Sequence, residues 1–335
     1  MEVDRLSYPP RASHGGARQV LIFLVPGNPG LIGYYAPFLS GLRALLDAGA
    51  ASSAVDFHIH GQNFAGFTDG DHEPFTARRG PYDLEYQIRH MLHAVGRLRA
   101  GSAGREGAGG RPYDRVLLMG HSVGAYIALQ ICQRVRRDPA LAAGLNIASG
   151  VLLFPTIDHI ADSPSGWRLK TLSQIPLLGA NAYRIAQGFL RLWPRGALHW
   201  FVRRALGFPP HAADVTVRWL KSRDGVWQAL HLGMDEMRVI GEDKWDDELW
   251  EITPDVAKAR PSRVAAPKFY FFFGRRDHWV ADHYRDEFIR KRSARDERTR
   301  VVVDEGNIPH SFCIEHSEVV AEKVHGWILE MFDTA

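Results

Sequence analysis

Cysteine is scarce. Only Cys132 and Cys313 occur in 335 residues. That is too few for a disulfide framework, and both sit in apolar or helical surroundings, which fits a reducing, intracellular compartment. No stretch reaches the roughly 18 continuous apolar residues of a spanning helix. Met1 to Arg18 carries neither an apolar core nor a cleavage pattern. The expectation is a chain neither secreted by an obvious route nor threaded through a bilayer, with surface attachment to a membrane left open. The net charge of +3 is too small to argue for a nucleic-acid partner. Zinc-type spacing of Cys and His, a P-loop and a dinucleotide fingerprint are all missing, so no metal and no organic cofactor are implied. There is no internal repeat. Acidic residues are absent between Asp162 and Asp214.

The composition itself, 45% hydrophobic and 24% charged, is that of a folded globular protein. Short β-rich runs alternate with helical patterns, which predicts an α/β architecture: a mostly parallel central sheet flanked by helices. The expected strands are Val20 to Val25, Val55 to His60, Arg115 to Met119, Gly150 to Phe154, Lys268 to Phe273 and Arg300 to Val303. The expected helices are Tyr82 to Leu98, Ala125 to Arg136, Asp282 to Arg292 and Glu315 to Met331. Gly101 to Gly110 reads as a Gly-rich loop. Between about 156 and 263 the strand rhythm stops and helical patterns take over. The organisation expected is therefore one domain over residues 1–335, with a helical cap inserted at 156–263 before the strand that precedes an acid.

The apolar run Val116-Leu117-Leu118-Met119 leads straight into Gly120-His121-Ser122-Val123-Gly124, followed by a helical Ala125-Tyr126-Ile127-Ala128-Leu129. A serine hydroxyl is a weak nucleophile near neutral pH unless it is presented openly to a base. A strand–elbow–helix turn with glycines on both sides of the serine does this in the α/β-hydrolase fold. In that fold the chain order is Ser, acid, His. Asp277 follows the strand at Lys268 to Phe273, and His310 sits in a loop after the last strand. The candidate triad is Ser122, Asp277 and His310. Asp158 is the rival acid. Asp304 is expected at the surface, and His121 is expected to point away from the serine hydroxyl. Two backbone N–H groups must meet the developing oxyanion: Val123, just after the nucleophile, and Asn28 in the loop Gly27-Asn28-Pro29-Gly30.

Several blocks together resemble the lipid droplet-associated hydrolase family. They are Val25-Pro26-Gly27-Asn28-Pro29-Gly30 with Gly33-Tyr34-Tyr35 and Pro37-Phe38, then Gly120 to Tyr126. Further on come Leu153-Phe154-Pro155-Thr156-Ile157 with Ser163-Pro164-Ser165-Gly166, and finally Asn307-Ile308-Pro309-His310-Ser311-Phe312. The resemblance runs from about residue 20 to 325. It implies a carboxylic-ester hydrolase of neutral-lipid metabolism on lipid droplets and the cytosolic side of the endoplasmic reticulum, with sterol esters the substrate class usually proposed. It departs from that pattern in its Gly-rich expansion at 101–110 and in the basic setting of Gly274-Arg275-Arg276-Asp277.

Tyr183 to Phe208 reads as two short amphipathic helices broken at Pro194-Arg195-Gly196. Two readings stay open. One is a lid whose apolar face covers the cleft. The other is an interfacial hairpin that puts Trp193, Trp200 and Phe201 into a lipid surface while arginines meet head groups. Taken together, the expected activity is cleavage of lipophilic esters through an acyl-enzyme. The rivals are a droplet-bound scaffold with an idle site and a soluble hydrolase of small esters or thioesters.

Overall fold

The computed structural model describes residues 3–10, 16–49, 54–76, 78–101, 110–173, 187–241, 267–293 and 299–332. Seven strands form one sheet: β1 (Arg5–Tyr8), β2 (Arg18–Val25), β3 (Val55–Gln62), β4 (Arg115–His121), β5 (Ile147–Leu153), β6 (Lys268–Phe273) and β7 (Thr299–Val303). Their order across the sheet is β1-β3-β2-β4-β5-β6-β7. All neighbours are parallel except β1, which pairs antiparallel with β3. The short, partly exposed β1 escaped the sequence pattern because an edge strand need not bury a continuous apolar run.

Around the sheet lie α1 (Ala36–Ala48), α2 (Leu84–Arg97), α3 (Val123–Arg137), α4 (Pro164–Ser173), α5 (187–192), α6 (Arg195–Arg204), α7 (Pro210–Leu220), α8 (Gly225–Val239), α9 (Asp282–Ser293), α10 (Phe312–Glu315) and α11 (Ser317–Phe332). Sequence chemistry sets several boundaries. Asp83 starts α2 by accepting the Tyr86 N–H at 2.8 Å. Val20 to Val25 are each at most 1% exposed, as expected of a parallel strand covered on both faces. Burying each such side chain contributes on the order of 1.5–3 kcal/mol before the entropy of ordering is set against it.

The sheet places the chemistry by register. Val25 pairs with Gly120, His121 with Leu153, and Phe273 with Val303. The ends of β2, β4, β5, β6 and β7 therefore lie along one edge, where loops of an open parallel sheet converge. Between β5 and β6, the elements among the described residues are helices, α4 to α8 and a 3₁₀ turn at Ile160–Asp162. Residues 174–186 and 242–266 lie outside the described residues. So do part of the expected cap, its Tyr183, Arg184 and Ile185, and most of the expected loop at 101–110. No helix among the described residues is long and apolar enough to cross a membrane.

Candidate active site

Ser122 is the single residue between β4 and α3, with φ 55° and ψ −126°. A non-glycine residue rarely adopts that geometry, at a cost of about 1–3 kcal/mol. Two glycines make the turn possible. A Cβ on Gly120 would overlap the backbone of Gly124 and Ala125, and one on Gly124 would overlap the carbonyls of Val25 and Pro26. The Ser122 N–H is tied to Leu153 O at 3.0 Å.

The loop after β7 brings His310 to this serine. Asp304 organises the loop. Its N–H donates to Phe273 O at 2.8 Å, and its Oδ2 accepts the Ile308 N–H at 2.7 Å. Asn307, at φ 58°, makes the left-handed turn before the histidine. Asp304 is only 2% exposed, which corrects the expectation of a surface residue: its carboxylate turns inward because a buried loop amide needs an acceptor.

His310 Nε2 lies 2.9 Å from Ser122 Oγ, and His310 Nδ1 lies 2.7 Å from Asp277 Oδ2. The other Asp277 oxygen accepts the Trp279 N–H at 2.9 Å. Burial alone would raise the Asp277 carboxyl, but the His310 charge and hydrogen bond, the Trp279 N–H and His278 outweigh it. The carboxyl therefore stays below its ordinary range. An ionised carboxylate can only accept, so Nδ1–H donates to it. That leaves the Nε2 lone pair to accept from the serine O–H. Asp158 pairs instead with the ring of His159, which stacks on Tyr284. The described contacts thus bring Asp277, not Asp158, to His310.

His121 does point away from the serine hydroxyl, and it joins two loops of the site. Its Nε2 is 2.8 Å from His310 O, and its Nδ1 is 2.7 Å from the Tyr35 hydroxyl, which also takes the Gly27 N–H at 2.8 Å. A carbonyl only accepts, so Nε2 carries the proton and Tyr35 O–H donates to Nδ1. Burial, then the nearby His310, lowers His121 to about 3, so it stays neutral. The network spans residues far apart in sequence, and only the neighbouring motifs hinted that Tyr35 and His121 matter.

The Gly27 loop passes against the nucleophile: a Cβ on Gly27 would come within 2.9 Å of Ser122 Cβ. With the Gly27 N–H held by Tyr35, and Pro29 lacking one, Asn28 is the loop residue at the cavity wall whose N–H is left for a ligand. Among the described residues neither the Asn28 nor the Val123 N–H has a protein acceptor. The Asn28 side chain donates to Ala229 O and Glu236 Oε1, both at 3.0 Å. Glu236 was missed in the sequence because nothing local to it marks a site residue.

These groups open on a cavity of about 530 Å³ lined by Ser122, His310, Asn28 and Glu236 together with Trp219, Leu206, Phe208 and other apolar side chains, with no Lys or Arg among the described lining residues. Both cysteines are free and buried, Cys313 at the cavity. His278, unassigned from sequence, meets Ser165 Oγ at 2.8 Å through Nδ1.

The three residues expected at a lipid surface divide. Trp200 is 64% and Phe201 37% exposed. Trp193 is half-buried, packed beside Leu198, Val202, Ala213 and Val217 and edge-on to Phe201 at 5.7 Å. Of the three residues expected at a lipid surface, Trp193 thus presents only part of its ring, because the rest packs on a small core of its own. Leu192, at 82%, is more exposed than any of the three, and Phe189, at 60%, is nearly as exposed as Trp200.

A family model described as lipid-droplet associated hydrolase matches residues 18–313. A Rattus norvegicus protein named lipid droplet-associated hydrolase is 29% identical over 322 residues, covering 92% of this chain and 84% of its own length. Its Pongo abelii counterpart is 28% identical over 320 residues, covering 91% and 83%. Among solved structures, a peroxisomal alpha-beta-hydrolase of Saccharomyces cerevisiae aligns with TM-score 0.57 at 16% identity, over 98% of this chain and 82% of its own. A laboratory-evolved potato epoxide hydrolase aligns with TM-score 0.53 at 14% identity, over 97% and 100%. At such identities the likeness speaks to the fold, which is that of the α/β-hydrolases.

Proposed function

This chain belongs to the lipid droplet-associated hydrolase family, and from that premise we propose that it is a serine hydrolase of neutral, lipophilic carboxylic esters, sterol or other neutral-lipid esters among them, acting at the surface of lipid droplets and the endoplasmic reticulum. The observation that carries the reading is the hydrogen-bonded series Ser122–His310–Asp277 opening on an apolar cavity. Ser122 Oγ attacks the ester carbonyl carbon as His310 Nε2 takes its proton, and Asp277 stabilises the imidazolium. The Val123 and Asn28 N–H groups receive the oxyanion. Collapse breaks the C–O bond, His310 protonates the departing alcohol, and an acyl-Ser122 remains. Water, deprotonated by His310, then releases the acid and restores the serine.

Among the described residues no cationic side chain lines the cavity, which disfavours esters that carry phosphate or free carboxylate, because a buried anion needs a partner. In this reading helices α4 to α8 are the described part of the cap expected over 156–263. Leu206 both lines the cavity and is 52% exposed, so the outer helices border its mouth. Their exposed aromatics would enter a lipid surface, and Arg191, Arg195, Arg203 and Arg204, all exposed, would each contribute about 1 kcal/mol on anionic head groups. The test is labelling of the purified protein with a fluorophosphonate probe, together with turnover of esters of increasing chain length and of sterol esters against Ser122→Ala. Labelling at Ser122 with a preference for long neutral esters supports the reading. An unlabelled serine, or equal turnover by the variant, overturns it.

A further inference from the structure

We propose that Glu236 on α8 is a positioning residue for the oxyanion loop: as a neutral acid it holds the Asn28 side chain, and with it the Asn28 N–H, in place at the cavity wall. This rests on the reading of that N–H as an oxyanion donor.

Both amide protons of Asn28 go to α8, one to Ala229 O and one to Glu236 Oε1. Its Oδ1 is buried without a partner, so among the described residues α8 alone tethers this side chain. The helix makes room for it at Gly233, where a Cβ would stand 3.4 Å from Asn28 Nδ2. Glu236 is 5% exposed and lines the cavity that holds Ser122. Burial, opposed by the Asn28 hydrogen bond and reinforced by Asp235, raises its carboxyl to about 8. Asp235 itself accepts the Leu84 N–H and pairs with Arg238. The other titratable groups at the cavity are Tyr34 and Tyr35 before α1, His121 after β4, His278 after β6, and His310 and Cys313 after β7. Among the described residues that line the cavity there is no lysine or arginine to neutralise an ionised Glu236.

Below its pKa, Glu236 accepts the Asn28 amide without placing charge in the cavity. Above it, a carboxylate shares a low-dielectric space with the developing oxyanion, and the two repel. Gln keeps the acceptor and cannot ionise. Leu removes the acceptor.

The experiment measures kcat and KM for p-nitrophenyl butyrate from pH 6 to 9.5 on the full chain and on Glu236→Gln and Glu236→Leu, with Ser122→Ala as the blank and fluorophosphonate labelling of Ser122 in parallel. In the wild type, kcat should fall about tenfold between its plateau and pH 9, as the arithmetic of one group titrating near 8 requires. Glu236→Gln should remove that alkaline limb and raise the ratio of kcat at pH 9 to kcat at pH 7 about tenfold. Glu236→Leu should lower kcat at every pH with KM within about twofold, the pattern of a contact felt in the transition state. The same alkaline limb in Glu236→Gln, with Ser122 still labelled, overturns the role of Glu236 and leaves the hydrolase reading standing. That comparison decides even if the leucine variant does not fold. A wild-type Ser122 that takes no label overturns the hydrolase reading, and this inference with it.

Discussion

Helices α6 and α8 belong to one segment between β5 and β6, yet they bury opposite chemistry. On α8 the polar side chains face inward. Gln228, fully buried, accepts the Tyr82 N–H at 2.9 Å and donates to Tyr82 O at 2.8 Å. Asp235 takes the Leu84 N–H at 2.9 Å, and Glu236 takes Asn28. On α6 only Leu198 and Val202 are buried, while Trp200 and Phe201 face out. A helix docked through polar groups has one seat, because any other leaves those groups unpaired. A helix that turns aromatics outward keeps apolar area in water, at about 25 cal/mol for each Å², and what covers that area is not among the described residues. The difference teaches how one segment divides: α8 is fixed against the Asn28 loop by polar contacts, whereas α5 and α6 leave large apolar side chains exposed.

The comparison is sharpened most by removing the chemistry. Ser122→Ala or His310→Ala should cut kcat by about 10⁴–10⁶-fold, while flotation of the protein with neutral-lipid droplets is unchanged. Loss of flotation in the serine variant would mean that surface and chemistry are not separable. The acid comes next. Asp277→Asn should lower kcat by roughly 10³–10⁴-fold, because the imidazole loses its orienting acceptor, and Asp158→Asn should stay within about threefold in the same assay. The reverse ranking would reassign the acid.

The third probe is on stability. Gln228→Leu leaves the N–H and the carbonyl of half-buried Tyr82 without their partner and should destabilise the fold by about 1–3 kcal/mol in denaturant titration. A change under 0.5 kcal/mol would show that α8 is not held as described. The smallest effect belongs to the outer helices. Trp200→Ser with Phe201→Ser should lower the denaturation midpoint only slightly, since Trp200 is 64% exposed and Phe201 gives up one edge contact with Trp193. It should lower liposome binding by about tenfold, one to two kcal/mol of lost burial. Normal binding with altered kinetics on a short ester would favour the lid reading over surface attachment. Trp193 is excluded from that variant because its ring packs on the Leu198 and Val202 cluster.

How legible the molecule was in advance depends on the distance between interacting residues. The elbow could be read because its demands are met within Gly120 to Gly124 and the apolar strand before it. β2, β4 and β6 could be read from continuous apolar runs, since burial on both faces leaves that mark, while β3 alternates and β7 lies half-buried at the sheet edge. His310 and Asp277 could be placed by chain order after their strands. The choice between Asp277 and Asp158 needed geometry: both follow strands, and only distance tells which reaches the imidazole. Asp304 looked like a surface acid, because a sequence does not show which loop amides lack acceptors.

The amino-acid sequence alone therefore determined the layered α/β class and singled out Ser122, Asp277 and His310, which the fold brings together, since these depend on periodicity, chain order and contacts within a few residues. Tertiary structure alone decided that Tyr35 and His121 bridge the Gly27 loop to the His310 loop, and that Asn28 is held by Glu236 from 208 residues away. It also decided that Trp193 is packed while Trp200 is bare. The physical reason is common to all three. A buried polar group must find its hydrogen-bond partner, and an apolar ring its neighbours, wherever the folded chain brings them, and no local pattern records the meeting.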